Sequence, residues 1–173
     1  MAKLLPYDNA NLSSEQAQAI ISILVHQCDL IEERDNRDRK DYPDLYDPDY
    51  ENLRSHSRTA AVLAGFRENT CLPGMSIRKR HYGIGHVQPE IVGEHIILQI
   101  YSINSSLSID EIIDKCHEYN NGVNQRRFNV IQFRMSDKGH LTSADLIDFN
   151  QNGEIISRQT IFKHSKKESL AAA

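Results

Sequence analysis

Cysteine and tryptophan are scarce in this chain of 173 residues, which has no tryptophan and three scattered cysteines, Cys28, Cys71 and Cys116. No two cysteines form a CxxC pair, so the sequence indicates neither a zinc ribbon nor a disulfide scaffold. Cys28 and Cys116 lie on apolar stripes at helical spacing and are predicted to be core residues. Cys71 falls in a predicted loop without a base close to it in sequence.

Long apolar segments are also absent. The longest apolar runs fall far short of the roughly 20 residues that a helix needs to span a bilayer, and the N-terminus has no signal peptide. We therefore predict a cytoplasmic protein without membrane contact. The length predicts a single globular domain over residues 1–170, and the alanines at 171–173 are interpreted as a cloning remnant.

An excess of positive charge is missing as well. Lys and Arg number 20 against 24 for Asp and Glu, which gives a formal net charge of −4. Proteins whose main task is to hold duplex nucleic acid depend on neutralising phosphates. The charge balance therefore argues against that class, although it leaves room for a local basic patch.

The first predicted element is an amphipathic helix. Ser13 and Gln16 have the spacing of a capping box, and apolar residues then recur at helical spacing up to Ile31. The stretch that follows, residues 35–56, is charged, contains Pro43 and Pro48, and is nearly free of aliphatic side chains. It predicts a long, partly mobile loop.

Residues 59–66, TAAVLAGF, fit either a short helix or a buried strand. We favour a strand, because Gly65 and Pro73 bound the segment closely. From Met75 onward the pattern becomes that of strands, and residues 94–103, EHIILQIYSI, predict a strand that is mostly buried. Ser108 and Glu111 predict the start of a second helix.

The last third predicts a three-stranded meander with the strand sequences RFNVIQFRM, HLTSADLIDF and EIISRQTIFK. Asn152-Gly153 is a strong hairpin signal between the last two. The predicted fold class is therefore α+β. It comprises an N-terminal amphipathic helix, a charged loop, and a mainly antiparallel sheet of about five strands with one inserted helix and this C-terminal meander. The strands ILQIYSIN and VIQFRMSD each place a glutamine, Gln99 and Gln132, amid apolar residues, as two neighbouring strands would if the glutamines faced each other.

Residues 77–95, IRKRHYGIGHVQPEIVGEH, hold the densest run of reactive side chains. Zinc is not favoured, since the two glycines near the histidines prevent a helical ligand pair. General acid–base cleavage of RNA needs a base, an acid and a cation on the phosphate. The residues that fit these roles are His81, His86, Glu90, Arg80 and, from a later turn, His140. The alternative, which we favour, is a basic edge strand followed by a turn at residues 83–85.

Two ribonuclease families resemble parts of this pattern. A helix followed by an antiparallel sheet resembles the layout of the barnase-like ribonucleases. The stretch GIGHVQPEIVGEH is similar to the glycine-flanked His-Val stretch of the EndoU-type ribonucleases, over about a dozen residues. The resemblance implies metal-independent RNA cleavage with His86 in a catalytic role, and it assigns neither a second histidine nor a lysine.

The stretch DYPDLYDPDYE is the second candidate. It lacks the glycine and the closing glutamate of an EF-hand, so calcium is not predicted. Alternating acids and tyrosines suit a protein-binding surface, because tyrosine supplies contact area and carboxylates attract a basic partner. A solvated linker is the alternative. The predicted binding residues are Tyr42, Tyr46, Tyr50, Asp44, Asp47 and Asp49.

Taken together, these patterns predict a small macromolecule-binding protein of accessory, regulatory or inhibitor type, bacterial or phage-like in character and without catalysis. A protein is the expected partner, with RNA as the second option, and neither a metal nor another cofactor is expected. The alternative function is a metal-independent endoribonuclease that uses His and Glu for acid–base catalysis. The sequence predicts no oligomeric state.

Overall fold

Two long helices precede a six-stranded sheet in the computed structural model, which describes residues 3–68, 72–82, 86–104, 108–120 and 125–164. Helix α1 spans Ser14–Asp41 and α2 spans Glu51–Glu68, with two short 3-10 helices at Pro43–Tyr46 and Pro48–Tyr50 between them. The remaining elements are β1 Ser76–Tyr82, β2 His86–Val92, β3 Ile96–Ser102, α3 Ile109–Asn120, β4 Arg127–Met135, β5 Leu141–Phe149 and β6 Ile155–Lys163.

The strands lie in the sheet in their sequence order, β1-β2-β3-β4-β5-β6. All neighbouring pairs are antiparallel except β3 and β4, which are parallel. A parallel pair needs a crossover connection, and the segment that contains α3 supplies it.

Both faces of the sheet are covered by helix. One face packs against α1 and α2 around large buried side chains such as Leu24, Phe66 and Phe133. The other face packs against α3, where Cys116 and Tyr119 meet Phe128. Strand β3 lies between the two cores, which explains its near-continuous apolar sequence.

The predicted fold class is confirmed: the structure is α+β, with the helix first and a largely antiparallel sheet after it. The capping box of α1 is present, with Ser13 and Gln16 exchanging both hydrogen bonds. The inserted helix begins as predicted, since Ser108 Oγ accepts a hydrogen bond from the Glu111 amide at 3.2 Å. The meander β4-β5-β6 is also present, and Gly153 in its second turn has a φ of 78°.

The predicted loop at residues 35–56 is wrong in most of its length. Helix α1 continues to Asp41 and α2 begins at Glu51, so only residues 42–50 lie outside an α-helix. Arg, Lys and Glu are good helix formers, so a run of charged residues does not prevent a helix. Pro43 and Pro48 each lie at the start of a 3-10 helix, where the missing N–H breaks no hydrogen bond.

The predicted strand at residues 59–66 is also wrong, because this segment lies within α2. Gly65 does not bound an element but allows close packing of α2 on α1: a Cβ at this position would lie 2.1 Å from Gln27 Cδ. The sheet has six strands rather than about five. The additional strand, β2, contains Pro89, a residue that argues against a strand when judged from sequence alone.

Cys28 and Cys116 are buried, as predicted. Burial raises the pKa of the Cys28 thiol to about 12 and that of Cys116 to about 11. Cys71 and the predicted turn at residues 83–85 lie outside the described residues. No described helix is both long and apolar enough to cross a membrane.

Candidate functional site

The antiparallel pairing of β1 with β2 brings two of the predicted catalytic residues, Arg80 and Glu90, to one place. In the antiparallel register Arg78 lies opposite Glu90 and Arg80 lies opposite Gln88, so both arginines share a face with the carboxylate. Arg78 Nε donates to Glu90 Oε2 at 2.6 Å, and Arg80 Nη1 lies 3.6 Å from Glu90 Oε1.

Glu90 is completely buried and accepts hydrogen bonds on both carboxylate oxygens. Oε1 accepts from Gln99 Nε2 at 2.7 Å and from the hydroxyl of Tyr119. Burial opposes ionisation, but the hydrogen bonds from Tyr119, Arg78 and Gln99 outweigh it and lower the pKa of Glu90 below its usual value. Glu90 is therefore held as a carboxylate away from solvent.

Helix α3 covers this site and contributes Lys115, Glu118 and Tyr119 to it. Burial and the hydrogen bond to Glu90 raise the pKa of Tyr119, so that its hydroxyl keeps the proton that it donates. Glu118 accepts two hydrogen bonds of 2.6 Å from the Arg80 guanidinium. Lys115 Nζ donates to Gln99 Oε1 at 2.7 Å. The resulting group is named the Glu90 cluster and consists of Arg78, Arg80, Glu90, Gln99, Lys115 and Tyr119.

No described contact brings the predicted catalytic histidines to the Glu90 cluster. His140 Nδ1 lies 2.9 Å from Glu32 Oε2 on α1, and its ring stacks on His164 with 6.4 Å between the centroids. These contacts belong to the α1 side of the sheet, whereas Glu90 faces α3. In the β1–β2 ladder His81 pairs with Val87 and His86 pairs with Tyr82, and the side chains of both histidines lie outside the described part of the chain.

The predicted tyrosine loop lies between α1 and α2 and contains the two short 3-10 helices. We name residues 42–53 the elbow. Tyr42 is 62% exposed, Tyr50 is 47% exposed and Leu53 is 68% exposed. Tyr46, in contrast, is half-buried, because the guanidinium groups of Arg39 and Arg54 lie over its ring. Their Cζ atoms are 4.9 and 5.2 Å from the ring centroid. The elbow thus presents three large exposed side chains and keeps Tyr46 as part of its own packing.

The acidic side chains of the elbow are exposed at Asp44, Asp47 and Asp49. Asp47 also accepts a hydrogen bond of 3.0 Å from the Asp49 amide, which caps the second 3-10 helix. The Asp47 carbonyl oxygen accepts from Arg54 Nη1 at 3.0 Å, a contact that ties the turn to α2. The predicted binding residues are therefore together on one turn, with Tyr46 in a structural position.

Sequence reasoning missed Gln99, Lys115 and Tyr119 as partners of Glu90. Two signals were present. Gln99 is a polar residue within an apolar strand, and β3 and β4 are indeed neighbours, although Gln132 pairs with Tyr101 rather than with Gln99. Tyr119 continues the apolar stripe of α3 from Ile112 and Cys116 at helical spacing.

The described residues contain no group of three or more His, Cys, Asp or Glu side chains arranged to hold a metal ion. Comparisons of the chain with protein-family models, with curated proteins and with solved structures give no match. The functional argument therefore rests on the two sites themselves, the Glu90 cluster and the elbow.

Proposed function

We propose that the protein is a macromolecule-binding protein of accessory, regulatory or inhibitor type, and that the elbow contacts a basic surface of a protein partner. The observation that carries the proposal is the exposure of three large side chains within the elbow, Tyr42, Tyr50 and Leu53. Large apolar and aromatic side chains grouped on a surface are typical of interaction sites, and tyrosine is enriched at the energetic centres of interfaces.

Charge complementarity specifies the partner. Residues 41–51 contain five acids, Asp41, Asp44, Asp47, Asp49 and Glu51, and no lysine or arginine. Such a surface accelerates encounter with a positively charged partner and disfavours acidic ones.

Preorganisation supports the same proposal. Pro43 and Pro48 fix the backbone of the turn, and the contacts of Arg54 with Tyr46 and with the Asp47 carbonyl oxygen hold it against α2. A surface that is ordered before binding loses less conformational entropy when the partner arrives. The elbow therefore meets the partner with its backbone and Tyr46 already positioned.

The ribonuclease alternative has less support from the described geometry. A general base must reach the proton that it removes, whereas Glu90 is enclosed by Arg78, Gln99 and Tyr119. His140, the second residue predicted to take part, contacts Glu32 on the α1 side of the sheet. The geometry favours a structural role for Glu90 and a binding role for the elbow.

The proposal predicts that the triple substitution Tyr42→Ala, Tyr50→Ala and Leu53→Ala abolishes partner capture. Truncating one anchor side chain at an interface costs about 2 kcal/mol or more of binding free energy. Each truncation therefore weakens binding by a factor of about 30 or more. The thermal unfolding midpoint should stay close to that of the wild type, because the three side chains are exposed. Tyr46 is left unchanged, since its packing between two arginines serves the fold.

The measurement is affinity capture from an extract of the source cells, followed by isothermal titration with each purified partner. A matched control replaces by alanine three large exposed side chains outside the elbow, Ile109, Ile155 and Ile156, which are 71%, 53% and 52% exposed. We expect a basic partner that binds the wild type and the control but not the elbow variant. A partner that binds the elbow variant with unchanged affinity, or the absence of any partner, would refute the proposal.

A further inference from the structure

We propose that Lys115, together with Tyr101, forms a reversible covalent site at which the lysine amine makes an imine with a small hydroxylated aldehyde or ketone. The site lies on the α3 face of the sheet and is separate from the elbow, so it goes beyond the binding function proposed above. Its elements are a buried amine, an adjoining phenol and a polar row of side chains that leads away from them across the sheet.

The amine is held in a defined position. Lys115 is 7% exposed, and its Nζ donates to Gln99 Oε1 at 2.7 Å and to the Tyr101 hydroxyl oxygen at 2.9 Å. The Tyr101 and Phe128 ring centroids lie 5.5 and 6.0 Å from Nζ. An amine fixed in this way against aromatic rings does not have to be ordered when a carbonyl carbon approaches it.

The Glu90 cluster determines which way the Gln99 amide faces. Glu90 is a carboxylate and only accepts hydrogen bonds, so the NH2 group of Gln99 must face it. The amide oxygen therefore faces Lys115 and Tyr101, and it also accepts a hydrogen bond of 2.6 Å from the Tyr101 hydroxyl. The buried carboxylate thus positions the reactive pair through Gln99.

The lowered pKa of Lys115 supports its reactivity as a nucleophile. Burial lowers the pKa of Lys115, and Arg80 acts in the same direction, while the acids Glu111, Glu90 and Glu118 oppose the change; the net result is a pKa below the usual value. A lowered pKa increases the fraction of uncharged amine near neutral pH, and the uncharged amine is the nucleophile in imine formation.

A polar row across the sheet indicates the class of ligand. Tyr101 pairs with Gln132, Gln132 pairs with Asp145 and Asp145 pairs with Thr160, so the four share one face. None of the four is buried. Arg158 joins the row, with Nη1 3.0 Å from Gln132 Oε1. Neighbouring strands lie about 4.8 Å apart, so hydroxyl groups on a carbonyl compound of a few carbons would reach this row from Lys115.

The reaction is balanced without a further reactant. The uncharged Lys115 nitrogen attacks the carbonyl carbon, and the carbonyl oxygen takes a proton, for which the Tyr101 hydroxyl is the adjacent donor. The nitrogen returns one proton to the Tyr101 oxygen as the carbinolamine forms. The carbinolamine then loses its hydroxyl group as water, together with the second proton of the nitrogen, and the C=N bond forms. Addition of water reverses each step, so the ligand is bound without net oxidation or reduction.

The test is reductive trapping on the full-length wild-type chain. The protein is treated at pH 7 with a limiting amount of glyceraldehyde and sodium cyanoborohydride, which supplies hydride to the imine, and modification of each lysine is followed by peptide mass spectrometry. The lowered pKa raises the uncharged fraction of Lys115, so we expect Lys115 to be labelled several-fold faster than the exposed Lys138 and Lys163. A rate at Lys115 equal to or below that of the exposed lysines overturns the proposal.

Three further measurements test whether the preference for Lys115 depends on the folded protein, on the Tyr101 hydroxyl and on the hydroxyl groups of the ligand. In urea the preference for Lys115 should vanish, which verifies that its peptide is recovered. Tyr101→Phe should slow labelling of Lys115 by about 100-fold, the lower end of the range for loss of a proton donor, and leave Lys138 unchanged. Propanal, which has no hydroxyl groups, should show a weaker preference for Lys115 than glyceraldehyde. An unchanged rate in Tyr101→Phe, or an equal preference with propanal, contradicts the respective part of the site.

Discussion

Arg58→Met is expected to lower the free energy of unfolding by about 3–5 kcal/mol, because it leaves a buried carboxylate without its main cationic partner. Arg58 is 3% exposed and Asp35 is 5% exposed, and Arg58 Nε donates to Asp35 Oδ2 at 2.7 Å. The same guanidinium donates to the Asp137 carbonyl oxygen at 2.7 Å, so it connects α1, α2 and the β4–β5 turn. Urea denaturation at neutral pH measures the change.

Arg37 provides a matched control on the same helix as Asp35. Its Nε lies 3.8 Å from Asp38 Oδ1, but the two side chains are 71% and 36% exposed. Arg37→Met should therefore change stability by no more than about 1 kcal/mol. The double substitution Arg58→Met and Asp35→Leu should recover much of the loss, since no charge then remains buried. A loss below about 1 kcal/mol in Arg58→Met alone would show that the pair does not hold the helices together.

This ion pair also explains why the segment around Asp35 was misjudged from sequence. Asp35 belongs to a run of charged residues, and such runs are most often solvated. Its burial depends on Arg58, which is 23 positions away in the chain and lies in a helix whose sequence predicts a loop and a strand. Local composition carries no information about a partner that arrives only when α2 packs on α1.

The strands and caps were predictable because their determinants are local. The capping box at Ser13, the helix start at Ser108 and the turn at Gly153 each depend on a few consecutive residues. Strand β2 could not be predicted, because Pro89 and the glycines before it obscure the alternation of apolar and polar residues. Its pairing with β1 and β3 overrides the local preference against a strand.

The candidate sites divide in the same way. The elbow could be predicted because its acids and tyrosines are adjacent in sequence, although the exposure of Leu53 and the packing of Tyr46 could not. The sequence places Arg80 and Glu90 in one candidate set of catalytic residues, but it does not predict the ion pair and hydrogen bonds around Glu90. The burial of Glu90 depends on α3, which the crossover between the parallel strands β3 and β4 places above it. A site assembled by a crossover has no signature within one segment.

Glu90→Gln is expected to lower the free energy of unfolding by about 3 kcal/mol at pH 7. Both oxygens of Glu90 accept hydrogen bonds, Oε2 from Arg78 and Oε1 from Gln99 and Tyr119. Glutamine offers one oxygen and one NH2 group, so a donor would face a donor on one side of the residue whichever way its amide is turned. The substitution also removes the negative charge that Arg78 and Arg80 neutralise.

The effect should depend on pH with a definite sign. The pKa of Glu90 is lowered in the folded protein, so the unfolded chain takes up this proton at a higher pH than the folded protein does. The contribution of the carboxylate is therefore complete above the unfolded pKa of about 4.3, and it is lost as the pH falls through the folded value. The difference between the wild type and Glu90→Gln should be constant from pH 7 to about pH 5 and then shrink below about pH 4.

Urea denaturation of both proteins between pH 7 and pH 3 measures this difference. Glu118→Gln is the matched control, because Glu118 also pairs with Arg80 but its side chain is 45% exposed; its effect should stay within about 1 kcal/mol. A penalty for Glu90→Gln that persists unchanged at pH 3 would mean that the carboxylate is not the stabilised species. A small penalty at pH 7, comparable to that of Glu118→Gln, would mean instead that α3 is held on the sheet by its apolar contacts with Phe128 and Ile147. In that case the orientation of Gln99 and Lys115 would have to be set by something other than Glu90.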